Sequence, residues 1–431
     1  MLIQRAYKTE LDPNETQKRL FYQYAGALRF AYNWMLARRE EYYKETGKMI
    51  SGYDLTKEFR ALKDTQFPWF RQFANKLEET AASNLDAAYD RFFKMRKDEI
   101  PRPKLRKPRR DGKPAGFPRF MSRKQGVHAF KFWTIKREWI QPDRIRFQRI
   151  GWVRLKERSY LPTPGRDVRI MSATISEKAG RWFVSVQVEE EIEDAASGNA
   201  IVGIDIGITV LATASDGRTW GNPKALDYYL KRLQNLGKQL SRRKKGSNRW
   251  QQTKRRIANL HYQIACIRSN AIHDMTTEIL ARAKSEGEPP CLIVIEDLQV
   301  RNMLQNNKLS KAIADASFAE IRRQLEYKAA WSGTEVLVVD KFFASSKICS
   351  SCGCKNTQLT LADRTFVCQN CGLEIDRDLS AALNLRRAGL EYVTLKTSGR
   401  KTDVEAETEA VSECTGKPVK RQAEKLSAVS A

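Results

Sequence analysis

Histidine is almost missing from this 431-residue chain: His128, His261 and His273 are all there are, with no nucleophile or second ligand at a working spacing. That scarcity removes histidine-centred acid–base catalysis and the His-Glu-x-x-His metalloprotease pattern from consideration, and the three are read as structural. A glycine-rich phosphate loop of the Walker type is lacking as well, so nothing marks a P-loop nucleotide hydrolase. No apolar run approaches 18 residues, no signal-peptide core follows Met1-Leu2-Ile3-Gln4-Arg5, and no lipidation motif occurs. A soluble, cytoplasmic protein without a membrane partner is the expectation. Acids are in deficit too: 51 Asp and Glu face 77 Lys and Arg, a net charge of +26. Clustered cations of that excess neutralise phosphates and release their counterions, which points to nucleic acid.

What is present is enough for real cores, since 41% of the residues are hydrophobic and the length allows two to four domains. Eight cysteines occur. Cys349-Ser-Ser-Cys352 and Cys368-Gln-Asn-Cys371, with 15 residues between the pairs, have the spacing of two knuckles that offer four thiolates to one structural Zn²⁺. Cys354 is read as a bystander, Cys266 and Cys291 as core residues, and Cys414 as part of the tail.

Three acids stand in settings that a metal-dependent nuclease needs. Asp205 lies in Ile-Val-Gly-Ile-Asp-Ile-Gly207, the first of two apolar runs closed by the turn Asp216-Gly217, which read as a pair of strands with Asp205 on a central one. Glu296 ends Cys291-Leu-Ile-Val-Ile-Glu296, a short apolar run of the kind covered on both faces. A carboxylate at either place is costly unless a cation meets it. Asp378 opens a helix whose Leu379, Ala382 and Leu383 recur at helical spacing. Brought together, the three would hold two Mg²⁺ ions through oxygen ligands, and such a pair hydrolyses phosphodiesters. Asp376 rivals Asp378 for the third place, and two residues apart on a helix only one of them can face the metals. Arg364, just before the second knuckle, has two readings, an approach to the scissile phosphate and, favoured, a charge on the ribbon surface.

Along the chain, one strand to Leu11 is followed by Asp12-Pro13-Asn14-Glu15, read as a cap, a first-turn proline and the acid of a capping box. The stripe Phe21, Tyr24, Leu28, Ala31 and Met35 predicts a helix as far as Gly47, and Trp69, Phe73, Leu77, Ala81, Leu85, Tyr89 and Phe92 predict a further one. Residues 94–124 are basic and proline-rich, a connection suited to phosphate contact. Alternation through Phe130–Trp133, Arg144–Phe147, Trp152–Leu155, Ser172–Ile175 and Trp182–Val188 predicts an antiparallel, barrel-like domain. After Asp205 come a helical hairpin from about Leu226 to Leu280, a helix over Ala312–Ser332 and a strand over Glu335–Val339. This order of strands and helices is the pattern of an RNase H-like α/β fold.

With these residues in place the chain resembles the TnpB family, transposon-encoded RNA-guided DNA endonucleases related to miniature type V CRISPR nucleases. The resemblance rests on Arg29-Phe-Ala-Tyr-Asn33, Gly116-Phe-Pro-Arg-Phe120, Gly203-Ile-Asp-Ile-Gly207, Leu240-Ser-Arg-Arg-Lys-Lys-Gly-Ser247, Glu296-Asp-Leu-Gln-Val-Arg-Asn-Met303, Gln324-Leu-Glu-Tyr-Lys-Ala-Ala330 and Asp376-Arg-Asp-Leu-Ser-Ala-Ala-Leu-Asn384. It implies an N-terminal split wedge (oligonucleotide-binding-like) barrel from a strand at 1–11 and 116–195, with a helical recognition domain at 12–115 inserted. An RNase H-like (RuvC-like) nuclease would follow at 200–344, with an inserted zinc ribbon at 345–374, its final helix at 375–396 and a disordered tail at 397–431. It implies Asp205, Glu296 and Asp378 as catalytic acids holding two Mg²⁺, one structural Zn²⁺ on Cys349, Cys352, Cys368 and Cys371, and a guide RNA with double- and single-stranded DNA as partners. No small-molecule substrate is implied, and the setting is prokaryotic and nucleoid-associated. Relatives more often carry Asn where this chain has Ser380. A transposase that performs strand transfer, a non-catalytic nucleic-acid-binding regulator and a junction resolvase are the competing readings.

Overall fold

The computed structural model describes residues 2–97, 99–100, 112–123, 129–163, 168–192, 198–285, 289–306, 309–340, 343–360 and 363–397. Most of the basic, proline-rich stretch, residues 193–197 and the expected disordered tail from 398 onward lie outside the described residues. The chain divides into two compact units, Met1–Ile192 and Glu193–Ala431. Among the described residues no helix is long and apolar enough to cross a membrane.

In the first unit β1 (Leu2–Asp12) leads into α1 (Glu15–Thr46). The helix start lies two residues beyond the expected cap. Asp12 stays in the strand opposite Arg154, and Asn14 is the cap: its side chain accepts from Gln17 N (2.8 Å) while Gln17 Oε1 accepts from Asn14 N (3.1 Å). Gly47 ends α1 at φ 67°, a left-handed turn that glycine adopts without strain. α2 (Gly52–Thr65) and α3 (Leu77–Arg96) follow. The helix expected through Trp69 and Phe73 is broken there, since Trp69 sits in a 3-10 turn and Lys76, at φ 74°, redirects the chain before α3. The aromatic spacing imitates a helix because Phe70, Phe73 and Trp69 stack edge-on in one cluster with Tyr24.

β2 (Ala129–Phe132), β3 (Ile140–Gln141), β4 (Arg144–Phe147), β5 (Gly151–Leu155), β6 (Val168–Lys178) and β7 (Arg181–Glu191) join β1 in an antiparallel sheet. Its order is β2-β6-β7-β1-β5-β4-β3, and among the described residues no ladder closes it between β2 and β3. Phe130, Ile145, Phe147, Val153, Val184 and Val186 are buried in one core with Phe21, Tyr24 and Leu28 of α1 and Leu77, Ala81 and Leu85 of α3.

The second unit is built on a mixed sheet. β8 (Ile201–Ile206) and β10 (Thr219–Gly221) each pair antiparallel with β9 (Val210–Ala214) between them, and α4 (Ala225–Ser241) and α5 (Asn248–Ser285) form a hairpin. β11 (Leu292–Glu296) then lies parallel to β8. α6 (Val300–Met303), α7 (Ser310–Ala316) and α8 (Phe318–Trp331) lead to β12 (Glu335–Val339), parallel to β11 at the sheet's edge. The helix expected over Ala312–Ser332 is two helices, because Ser317 takes φ 56° between them. After β13 (Thr365–Val367) and β14 (Glu374–Asp376) comes α9 (Arg377–Thr397).

The period of two along the strands sorts residues between the faces of this sheet. Ile204, Ile293 and Ile295 pack with Met275 and Ile279 of α5 and Ile321 and Leu325 of α8. Ile201, Leu292, Val294 and Val339 pack with Leu385, Ala388 and Tyr392 of α9. Gly203 belongs to the α9 face, and a Cβ there would collide with the backbone oxygen of Ala382 and the backbone nitrogen of Arg386. The helix can sit this low only over a glycine. Gly203→Ala is therefore expected to lower unfolding stability by about 2–3 kcal/mol, as overpacking against an unyielding backbone does. Urea unfolding measures this, and an unchanged midpoint would show that α9 is free to shift.

Candidate active site

Asp205 and Glu296 extend the α9 face of the sheet in steps of two from Gly203 and Val294. Ile295 pairs with Ile204, so one further step along the two parallel strands sets Glu296 beside Asp205 at their C-terminal ends. The low seat of α9 over Gly203 brings the helix start, with Asp378 in its first turn, to the same end. The charges feel one another: burial pushes the Asp205 carboxyl up to about 8, and the negative charges of Glu296, Asp378 and Asp376 push the same way while Arg377 opposes them. Burial also raises Glu296, and a hydrogen bond from the Ser345 hydroxyl to its Oε1 holds it down.

Asp376 and Asp378 are engaged differently at the helix start. One oxygen of Asp376 accepts from the backbone nitrogens of Asp378 (2.9 Å) and Leu379 (3.0 Å), the bonding of an N-cap. That oxygen is thereby engaged by α9, and Asp378 is the acid of the helix's first turn. Arg377 Nη2 lies 3.4 Å from Asp378 Oδ1, and Arg364 Nη1 lies 4.0 Å from Asp378 Oδ2. Arg364 also donates to Thr209 Oγ1 (3.4 Å), in the turn after β8. The side chain is largely exposed and reaches toward Asp378, because β13 pairs with β14 in a register that sets residue 364 opposite residue 377. Ser345 and Arg377 were not singled out in the sequence. Only their places, before the first knuckle and beside the third acid, could have suggested them.

The four cysteines expected to hold zinc converge. Cys349 and Cys371 sulfurs are 3.6 Å apart, those of Cys352 and Cys368 are 3.5 Å apart, and all four lie within 4.8 Å of one another. A tetrahedral ion with bonds near 2.3 Å spaces its sulfurs by about 3.8 Å, so the donors fit Zn²⁺. Cys354 is outside this set. Phe366, fully buried, and the half-buried Leu359, Leu373 and Ile375 give the module a small apolar centre of its own. The acids stand farther apart than the sulfurs, since among the described residues the cysteines alone form a ligand group within that span. All-oxygen donors with excess negative charge and looser spacing suit hard divalent ions that keep several waters.

Each unit carries a basic surface of its own. Between Tyr228 and His273 the chain contains no acid, and Arg242, Lys244, Lys245, Arg249, Lys254 and Arg255 are exposed around the tip of the α4–α5 hairpin. In the first unit, Arg144 stands directly across from Arg154, and Arg146 across from Trp152. Like charges facing across a ladder destabilise a sheet unless an anion lies over them.

A family model described as "Cas12f1-like, TNB domain" matches residues 318–385, one described as "Probable transposase" matches 183–307, and one described as "Helix-turn-helix domain" matches 1–48. That last segment is folded here as β1 and the single helix α1. The chain is 32% identical over 398 residues to "Putative RNA-guided DNA endonuclease" of Streptomyces pristinaespiralis, covering 90% of each chain. It is 31% identical over 404 residues to "Putative RNA-guided DNA endonuclease InsQ" of Escherichia coli (strain K12), covering 89% of this chain and 92% of that one. A solved Cas12f1-sgRNA-target DNA complex aligns at 16% identity with a TM-score of 0.34, over 90% of this chain and 100% of the other, and this likeness is too slight to argue from. At such identity over nearly the full length of its relatives, the chain belongs to the TnpB family, whose members carry the name RNA-guided DNA endonuclease.

Proposed function

We propose that this protein is the RNA-guided DNA endonuclease of a transposable element. A guide RNA from the transposon end pairs with one strand of double-stranded DNA, the protein reads a short flanking motif, and Asp205, Glu296 and Asp378 hold two Mg²⁺ ions at the cut site. In this reading the second unit is a RuvC-like nuclease, over 200–344 and 375–396, interrupted by the zinc ribbon at 345–374. The first is the wedge, 1–11 and 116–195, with the recognition helices of 12–115 inserted.

The observation that carries the reading is the burial of Asp205 beside further acids: desolvation first, and the negative charges of Glu296 and Asp378 next, lift its carboxyl to about 8 and leave a demand for cations. When bound, divalent ions supply an activated water and stabilise charge on the departing oxygen. The chain's own groups do the rest. Arg364, beside Asp378, offers its guanidinium to a phosphate oxygen, and the cations of the α4–α5 hairpin and of β4–β5 neutralise backbone phosphates without reading bases. Sequence choice then rests with base pairing. The described residues hold one such acid set, so both DNA strands pass through it in turn.

The test is to purify the protein with its bound RNA, sequence that RNA, and offer the complex DNA with and without a matching target. A defined transposon-end transcript and Mg²⁺-dependent cutting of both strands only at the match are expected; cutting that ignores the guide would overturn the proposal. The family description as a transposase favours a second reading, strand transfer. Covalently joined donor ends formed by the purified protein would establish it, and cleavage without joining removes it.

A further inference from the structure

The segment that enters the zinc module is fastened to α9 by one buried amide. Asn384, 2% exposed, donates through Nδ2 to the backbone oxygens of Ser345 (2.7 Å) and Ile348 (2.7 Å). Both partners are carbonyls, so the amide can be oriented only with its NH₂ toward them. Ser345, 3% exposed and held in this way, donates its hydroxyl to Glu296 Oε1. Among the described residues this is the one hydrogen bond to the Glu296 carboxylate, and Oε2 is left for another ligand. The same helix that carries Asp378 therefore also aims Glu296, through a single residue of the 3-10 turn Ser345–Lys347 that leads to Cys349.

We propose that Ser345, clamped by Asn384, is a positioning residue for Glu296: it occupies one carboxylate oxygen and sets the rotation that presents the other to a divalent cation. The inference rests on the reading of Asp205, Glu296 and Asp378 as a metal centre. A free Glu side chain at a strand end samples several rotamers, and ordering it beforehand spares that loss when the ion binds. Cys349 lies one residue beyond Ile348, so the clamp also ties the order of the zinc module to the aim of the acid.

The test is Mn²⁺ binding to the full-length protein, zinc retained and nucleic acid absent, followed by electron paramagnetic resonance and calorimetry alongside zinc content. Ser345→Ala removes the hydroxyl and leaves the carbonyl that Asn384 grips, so the fold and the zinc should be kept. The expected result is a Kd for Mn²⁺ raised about tenfold or more, the size seen when a ligand loses its supporting hydrogen bond. Ser345→Thr, which restores the hydroxyl, should bind within about twofold of wild type on the same scale. Equal affinity in Ser345→Ala and wild type would overturn the proposal, as would loss of zinc or melting temperature with Mn²⁺ affinity intact. Failure of the underlying reading looks different: wild type and Asp205→Asn would then bind Mn²⁺ alike, and both inferences fall.

Discussion

Asp205→Asn is expected to abolish guide-directed cleavage of both DNA strands while making the metal-free protein harder to melt. The first effect follows from losing an anionic oxygen ligand at the centre of the acid set. A drop of about 10³-fold or more is expected, equivalent to at least about 4 kcal/mol of barrier. The second follows from what burial does to the native residue. Asp205 is raised from 3.8 to about 8 by desolvation first and by Glu296 and Asp378 next. A carboxyl whose folded value lies above its unfolded one gives the folded state extra protons between those two values. Its contribution is fully present below pH 4 and is lost as pH rises through 8. Asn, neutral at every pH, has no such loss, so the variant should gain little at pH 5 and most at pH 8 and above.

Mg²⁺ should reverse that order. A cation that binds only the folded acids stabilises wild type by mass action, increasingly at higher pH where it no longer competes with a proton, and leaves Asp205→Asn unmoved. Scanning calorimetry of both proteins at pH 5 and pH 8, with and without Mg²⁺, reads all four terms. Coincident melting curves for wild type and variant under every condition would remove the electrostatic basis of the site.

Much of this centre could be read from the chain because its parts are short and chemically unlike their surroundings. An Asp two residues after Gly203 between isoleucines, and a Glu ending four apolar residues, each announce a charge on a buried strand. The zinc knuckles declare themselves through spacing. The helix that brings in the third acid is legible from Leu379, Ala382 and Leu383, but its depth is not, since that depends on a glycine on another strand, Gly203 against Ala382. Long-range bonds were equally hidden. Nothing near Asn384 says that its amide reaches back to Ser345, or that Arg364 meets Thr209, because each contact spans a fold-level distance in sequence. Local expectations failed where two signals overlapped. Asp12 looked like a cap, yet it serves the β1–β5 ladder and cedes the role to Asn14; the Trp69–Phe73 spacing looked helical, yet it is a knot of aromatic side chains around a 3-10 turn.

Removal of zinc should silence cleavage even though no cysteine is among the acids. The module is tied to them at both ends. At its entry Ser345 bonds Glu296, and at its exit β14 ends on Asp376, whose carboxylate caps the helix that presents Asp378. Between those ends the described structure offers two three-residue strands and one small apolar cluster, too little to stay folded without thiolate–metal bonds. Structural Zn²⁺ in such sites contributes on the order of 10 kcal/mol to the folding of its own segment. Cys368→Ser is therefore expected to lose the ion, to open residues 349–371 to protease, and to lower cleavage by about 10²-fold or more through loosened second and third acids. Cys354→Ser, outside the converging four, should keep one zinc per chain and the protection that goes with it. Zinc content, limited proteolysis and cleavage on the two variants separate the outcomes. Full activity in a Cys368→Ser protein free of zinc would mean that the acids are held in place by α9 and the sheet alone.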